Sequence, residues 1–531
     1  MRLALLALAA GLLVVAGCGS EDDGAPDPGS GAGSTTTSNF GGAGAGSGGD
    51  GGALASTAQI EQYGIVWQFQ GAVPFGQFAN GDYWVLAPVT VTAVTPDFDG
   101  SLHGLERDPV YEGGQGIDGR IENFDASLVP ELPLTIEGDA SLVKGMSNAE
   151  GPCATFDFQC LTTASVLTVL AARPADDGAR SFRPPFVGTD KPLYSVDDLR
   201  LADLPSLPRL GEARSLAWVE RRFARPQIDY KYGRMGRSLR PIDNYRADAT
   251  DDDSRYGSVV GDDNAEAALA LLLDDPIEQK MPALIRYVQA GIDGLYEARL
   301  GRSWTGAGAG IEPAFKVPLA FAAALLGDAD LESQISEARG FSEYHYMKPS
   351  APNPSRALYG TQNQYWGERE YWQYLVDTDA GLDPSSSAMR DPYFFIDGET
   401  PQRTYQFCCF AQPWKGSILA AHLFPAMLAV WNNDLILEYV DRWATVGTWT
   451  QPDPCAPHDG DMGNYGITFG PDSANPGMCI LDTDLAYYND PTDFACQPGA
   501  ECGRYPERHG LYTDGGYYRR DSIDALWSAY R

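Results

Sequence analysis

The spacing of apolar positions changes three times along this chain, and each change marks a boundary. Residues 3–15 are almost all apolar, 19–56 carry almost no apolar bulk, short alternating runs fill about 60–173, and helical spacing takes over beyond about 211. In the alternating part, 89–95 exchanges Val for Thr, which suits a strand with one face buried. Residues 65–69 form a short aromatic run. Residues 77–79 and 82–86 flank Asn80-Gly81, a pair that accepts the positive φ angles of a tight primed hairpin turn. Two more strands are expected at 132–136 and 165–170. Turn residues about every dozen positions, with no helical period, predict a small antiparallel β-sandwich over 57–175.

The helical part opens with a hairpin. Residues 258–273 place Ala265, Ala268, Leu269, Leu272 and Leu273 on one face, and Asp274-Asp275-Pro276 ends the run. Residues 278–299 follow as an amphipathic helix through Leu284, Ile285, Val288, Ile292 and Leu295. A third helix is expected at 312–326, after the loop that starts at Trp304 and stopped at Gly327. The run 413–430 reads as a helix bent at Pro425. Asn432-Asn433-Asp434 caps a helix at 435–445, and 521–530 closes the chain with Ile523, Leu526 and Trp527 inward. No repeat period emerges. Paired helices with glycine-rich and aromatic loops predict a mainly helical α/α-toroid-like domain over 213–531. Between the two parts, 176–212 is a proline-rich connector whose Phe182, Phe186 and Tyr194 predict packing against its neighbours. The fold class expected is therefore multidomain, α and β, with the β part first.

The chain start changes the picture of location. Met1-Arg2, the apolar stretch 3–15 and then Val15-Ala16-Gly17-Cys18 resemble a bacterial lipoprotein signal. The resemblance implies a signal peptide over 1–17, lipidation of Cys18, a membrane partner through that lipid, and an outer-membrane or cell-surface location. Residues 18–56 are then the lipidated cysteine and a Gly/Ser-rich tether. A coil of that composition spans roughly 30–35 Å. Of the 9 cysteines, Cys18 leaves an even set for disulfides in an exported protein. Proximity suggests Cys153 with Cys160, Cys455 with Cys479 and Cys496 with Cys502. For adjacent Cys408 and Cys409, a vicinal bridge, a reduced core pair and pairing elsewhere all stay open.

Charge adds a second organising feature. The net charge is −34, yet Arg221, Arg222, Arg225, Lys231, Arg234, Arg237, Arg240 and Arg246 face only Asp229 and Asp243 across 221–246. Cations gathered this way serve either an acidic surface of the protein itself or an acidic ligand. A pI near 4.4 excludes nucleic acid as the partner. The run Asp251-Asp252-Asp253 stands close by as an internal neutraliser.

A lipobox, a β-sandwich and a helical array preceded by clustered arginines resemble bacterial polysaccharide lyases and related α/α-toroid surface proteins. The resemblance is one of organisation, without a diagnostic motif. It implies a groove that binds an acidic polysaccharide and cleaves it by β-elimination. That reaction needs a group that neutralises the sugar carboxylate, a base for the C5 proton and an acid for the leaving oxygen. Arg240 and Asn244 suit the first role, and His345 with Tyr346 or Tyr365 suits the other two. Arg234, Arg237, Tyr245, Trp304, Trp366, Arg403 and Trp414 are the candidate substrate-binding residues, the indoles as sugar platforms. A glycoside hydrolase, needing two nearby carboxylates, and a non-catalytic binding or scaffolding lipoprotein remain the alternatives. The sequence carries no serine-hydrolase elbow, zinc-protease motif, Walker loop or dinucleotide fingerprint, and no cofactor is expected. The Asp97-Phe98-Asp99-Gly100 turn has oxygen donors for a structural calcium, but Asp is so common in turns that an ordinary loop is the preferred reading.

Overall fold

The Val–Thr alternation becomes strand β4 (Val89–Thr95), which pairs with β2 (Ile65–Gln77) and β6 (Leu134–Ile136). Long β2 is the spine of the sheet. Its first half pairs with β1 (Ser56–Gln62) and β4, and its last residues pair with β3 (Tyr83–Leu86). The edge opposite β6 is built from β5 (Leu105–Arg107), β7 (Ala140–Ser147) and β8 (Leu161–Leu170), in the order β5-β7-β8-β3-β2-β4-β6. The computed structural model describes residues 54–111, 113–148, 160–228, 239–244, 257–305, 312–349, 357–359, 410–446, 468–471, 479–481 and 520–531.

Three sequence expectations change here. The hairpin at Asn80-Gly81 exists, but Gly81 alone takes positive φ (92°). With Gly81 N–H on the Phe78 carbonyl and Phe78 N–H on Asp82, the connection is a turn followed by a bulge and not a primed turn. The sheet is also mixed, because β3 and β8 run parallel (Tyr83 opposite Leu167). Strands β4 to β7 lie between them in sequence, so β8 arrives beside β3 in the same direction. Finally, one sheet curls so that β1, β2, β4, β6, β7 and β8 enclose a common core around Trp67, Val91, Leu142 and Leu167. The alternate residues Val143, Ala164 and Val166 face a second core shared with Phe182, Phe186 and the helices. Connector and helices therefore occupy the place expected for a second sheet, and β7 and β8 are buried along almost their whole length because both faces are covered.

Among the described residues the helices are α1 (Leu216–Arg222), α2 (Gly257–Leu271), α3 (Ile277–Arg299), α4 (Lys316–Leu326), α5 (Ala329–Glu337), α6 (Ser342–Tyr346), α7 (Ala411–Leu423), α8 (Pro425–Trp431), α9 (Asp434–Val446) and α10 (Asp521–Tyr530). The expected bend at Pro425 is a full break. Phe424 is extended (φ −115°, ψ 94°) and Pro425 starts a new helix, because a residue before proline is pushed out of the helical region. The third helix starts later than expected, after Ala314 turns through positive φ. Two short hairpins complete the described elements: β9 (Met347–Pro349) with β10 (Ala357–Tyr359), and β11 (Thr468–Pro471) with β12 (Cys479–Leu481). Helix α3 packs on α1 and α4, and α7 packs on α2, α8 and α9. Residues Leu54–Arg531 form one compact unit, with the helical region built directly onto the outer face of β7 and β8. No described helix is long and apolar enough to cross a membrane.

Candidate functional site

Where α2, α3 and α4 meet, they leave a small cleft with a volume of about 50 Å³. Its apolar wall is Val260, Phe315, Pro318 and Leu319; its polar side chains are Gln227, Asn264, Asp293 and Glu297. The last two lie one turn apart on α3, so one helix face presents both carboxylates. Trp304 stands at the margin.

Behind the cleft, Asp293 belongs to a buried network that joins all three parts of the unit. Arg183, in the connector and 1% exposed, donates from Nε to Asp82 (2.7 Å) and from Nη2 to Asp293 (2.5 Å). Gln62 donates to the same Asp82 (2.7 Å) and accepts from Ser165 (2.7 Å), while Gln289 donates to the Arg183 carbonyl (3.0 Å). Burial pushes the Asp293 carboxyl up to about 6, with Arg183 pulling the other way. Sheet, connector and α3 are thus clamped at one guanidinium.

The described part of the basic segment turns inward. Arg222 is buried and bonds Asp263 through Nε (2.9 Å) and Nη2. Arg225 lies 3.6 Å over the Tyr63 ring and donates to Thr163 (3.0 Å). Arg240 is 5% exposed, its guanidinium 5.3 Å from the Phe315 ring. Asn244 accepts from the Arg225 N–H (2.9 Å) and donates to the Arg225 carbonyl (3.3 Å), so its amide holds a backbone. The acid that meets Arg222 is Asp263 of α2. Arg234, Arg237, Tyr245 and the Asp251–Asp253 run lie outside the described residues.

His345 sits on α6, half-buried, with its Nε2 enclosed and without a partner among the described residues. Burial lowers its pKa, which keeps the imidazole neutral at pH 7. Tyr346 is buried against Phe410 (ring centroids 4.5 Å apart) and Trp414. Beside them, Lys316 is caged by Phe341, Tyr344 and Trp431, donates to the Tyr344 hydroxyl (3.1 Å), and is brought down to about 8 by burial. Buried Glu343 is pushed up by the same cause. Trp304 stacks on Phe341 at 5.4 Å and 5°, so one indole face is taken. Trp414 is 1% exposed and donates to Ser342 (3.3 Å), as a core residue does. Trp304 is the candidate that lines the cleft, and Arg240 touches it through Phe315. Asn244, His345, Tyr346 and Trp414 do not line it. Tyr365, Trp366 and Arg403 lie outside the described residues, as do Cys18, Cys153, Cys408, Cys409, Cys455, Cys496 and Cys502.

Cys160 is disulfide-bonded; its expected partner Cys153 is outside the described residues, and of Cys479 only the backbone is described. In the candidate calcium turn, Asp99 Oδ1 already accepts from the Ser101 and Leu102 N–H groups (2.9 and 2.6 Å), as an Asx turn does. Sequence reasoning missed Arg183, Asp293 and the α2 carboxylates. The signal available was Asp262-Asp263 and Glu266 inside an otherwise Ala/Leu-rich helix, since charge there has to be answered by a partner. Compared with family models, with curated proteins and with solved structures, the chain matches none.

Proposed function

We propose that the protein is a lipid-anchored bacterial surface protein that binds a glycan in the cleft between α2, α3 and α4. The observation that carries this reading is the cleft lining. Amide and carboxylate side chains stand opposite an apolar wall, and a sugar ring offers the matching surface, with hydroxyls at its edge and C–H groups on its faces. The lipoprotein-like leader supports a surface location on the outer membrane. A toroid-like closing of the helices and a sandwich-like wrapping of the sheet belong to the same reading. What favours binding over cleavage is that Arg240 is buried against Phe315 and the Asn244 amide is taken up by the Arg225 backbone.

A second reading, β-elimination on an acidic polysaccharide, is favoured by His345, whose neutral, enclosed Nε2 is the form a general base needs. One experiment separates the two. The full chain is titrated calorimetrically against neutral, amino and uronic glycans, with unsaturated uronate ends followed by absorbance. Binding that falls about tenfold in Asn264→Ala and in Gln227→Ala, the loss of one or two hydrogen bonds, with no absorbance change, is the expected result. Absorbance that grows and vanishes in His345→Ala establishes the lyase instead. No binding and no product overturns both.

A further inference from the structure

Helix α2 carries three carboxylates into the interior, Asp262, Asp263 and Glu266, at 0%, 2% and 3% exposure. Two are answered by hydrogen bonds. Arg222 serves Asp263, and Glu266 receives Arg214 Nε at 3.0 Å and the Ser522 hydroxyl. Asp262 differs. Neither of its oxygens accepts a hydrogen bond among the described residues, and Arg520 Nε stands 3.5 Å from Oδ2.

Arg520 and Ser522 mark the start of α10, so the groups that address α2's carboxylates also hold the last helix in place. Ile523 and Leu526 bury its apolar side. Lys415 of α7 donates to Asp524 at 2.6 Å, Arg531 reaches Asp441 of α9 at 2.6 Å, and the Tyr530 hydroxyl donates to the Pro208 carbonyl. The helix lies across α2, α7 and α9 as a strap.

We propose that α10 is a pH-sensitive strap, docked on α2 while Asp262 carries its proton and released when Asp262 ionises. An ionised carboxylate without hydrogen bonds in a dry site is strongly disfavoured, and the single ion pair with Arg520 at 3.5 Å offsets only part of that. From α2 itself, Asp263 and Glu266 add repulsion. From other elements, Arg520 before α10 and Arg214 ahead of α1 act on it, while Arg222 of α1 is taken by the adjoining Asp263 and Lys415 of α7 by Asp524 of α10. Burial outweighs the arginines and holds the Asp262 carboxyl well above the usual carboxylate range. Release of α10 exposes Asp262 to water and returns it to that range. Docking is therefore fully favoured below the ordinary carboxylate pKa and lost as pH rises through the raised one.

Hydrogen exchange of the amides in 521–530 of the full chain tests this. After correction for intrinsic exchange, their protection is expected to fall about tenfold or more between about pH 5 and about pH 9, one pKa unit being a factor of ten. Amides of β7 and β8 should hold steady over the same range. Asp262→Asn should keep the strap protected throughout, whereas Glu266→Gln should retain the fall. Protection in the wild type that does not vary with pH overturns the proposal, even if Asp262→Asn fails to fold. A pH-dependent fall that persists in Asp262→Asn, or disappears in Glu266→Gln, assigns the effect to another group and overturns it equally.

Discussion

Arg183 is the residue on which the β and helical regions most depend. Its guanidinium bonds acids 101 residues before and 110 residues after it in the chain, and none of the three is exposed to solvent. Removing one member of such a set strands the others as buried charge, which costs about 3–5 kcal/mol. Arg183→Met is accordingly expected to lower unfolding free energy by that amount in urea titrations, far more than a surface Arg→Met such as Arg180. A loss below about 1 kcal/mol, the range of an exposed pair, is the contrary result. At the same scale, Lys316 shows why cations sit inside an acidic protein. Its ammonium is held by three aromatic faces and by hydrogen bonds, and no acid lies within ion-pair distance among the described residues.

At the scale of elements, α3 and α4 approach unusually closely. A Cβ built on Gly291 meets the Pro318 carbonyl oxygen at 2.3 Å and Ala322 Cβ at 2.5 Å, and one on Gly294 meets Leu319 at 2.6 Å. Two glycines on one face of α3 let α4 settle against its backbone, and the same contact sets the width of the cleft at Leu319 and Pro318. Gly291→Ala should cost about 1–3 kcal/mol, as overpacking does, and should weaken glycan binding as the helices separate. Thermal unfolding and calorimetry on the same variant check both. Helix ends were legible in the residues. Gly327 takes φ 62° to end α4, and Asp328 accepts the Asp330 and Leu331 N–H groups (3.0 and 3.1 Å) to begin α5. Helix α5 itself escaped notice because it buries only Leu331 and Ile335, too few apolar positions to show a period.

For the whole molecule, buried ionisable groups give stability a two-sided dependence on pH. Asp293 is raised to about 6 from 3.8, so the folded state holds its proton longer than the unfolded chain. Its contribution is complete below about 3.9 and disappears as pH rises through about 6. Lys144, Lys191 and Lys316 are each lowered to about 8 by burial, so their contribution is complete above about 10.4 and is lost as pH falls through about 8. The expected profile is a melting temperature that declines between about pH 4 and 6 and climbs again from about pH 8 towards 10. Lys316→Met should flatten the alkaline climb. A profile that falls steadily from pH 8 to 10 in the wild type contradicts the assignment.

What the sequence determined was local. The Val–Thr alternation specifies β4 to the residue, the amphipathic spacing specifies α3 and α10 within one position, glycine places the stop at Gly327, and proline marks an interruption at Pro425, though as a bend and not as the break the structure has. These depend on forces between near neighbours, where side-chain period and backbone preference suffice. Only the tertiary structure decided which charges meet. A run of arginines looks alike whether it serves a ligand or the interior. Here Arg222 finds Asp263, Arg225 finds Tyr63 and Arg240 finds Phe315 because folding brings distant segments together. The same holds for the cleft, since Gln227, Asn264, Asp293 and Glu297 are commonplace residues until α2, α3 and α4 pack and leave a space between them. Burial then sets their chemistry, because it is the loss of water around a charge, and not its place in the chain, that moves a proton on or off.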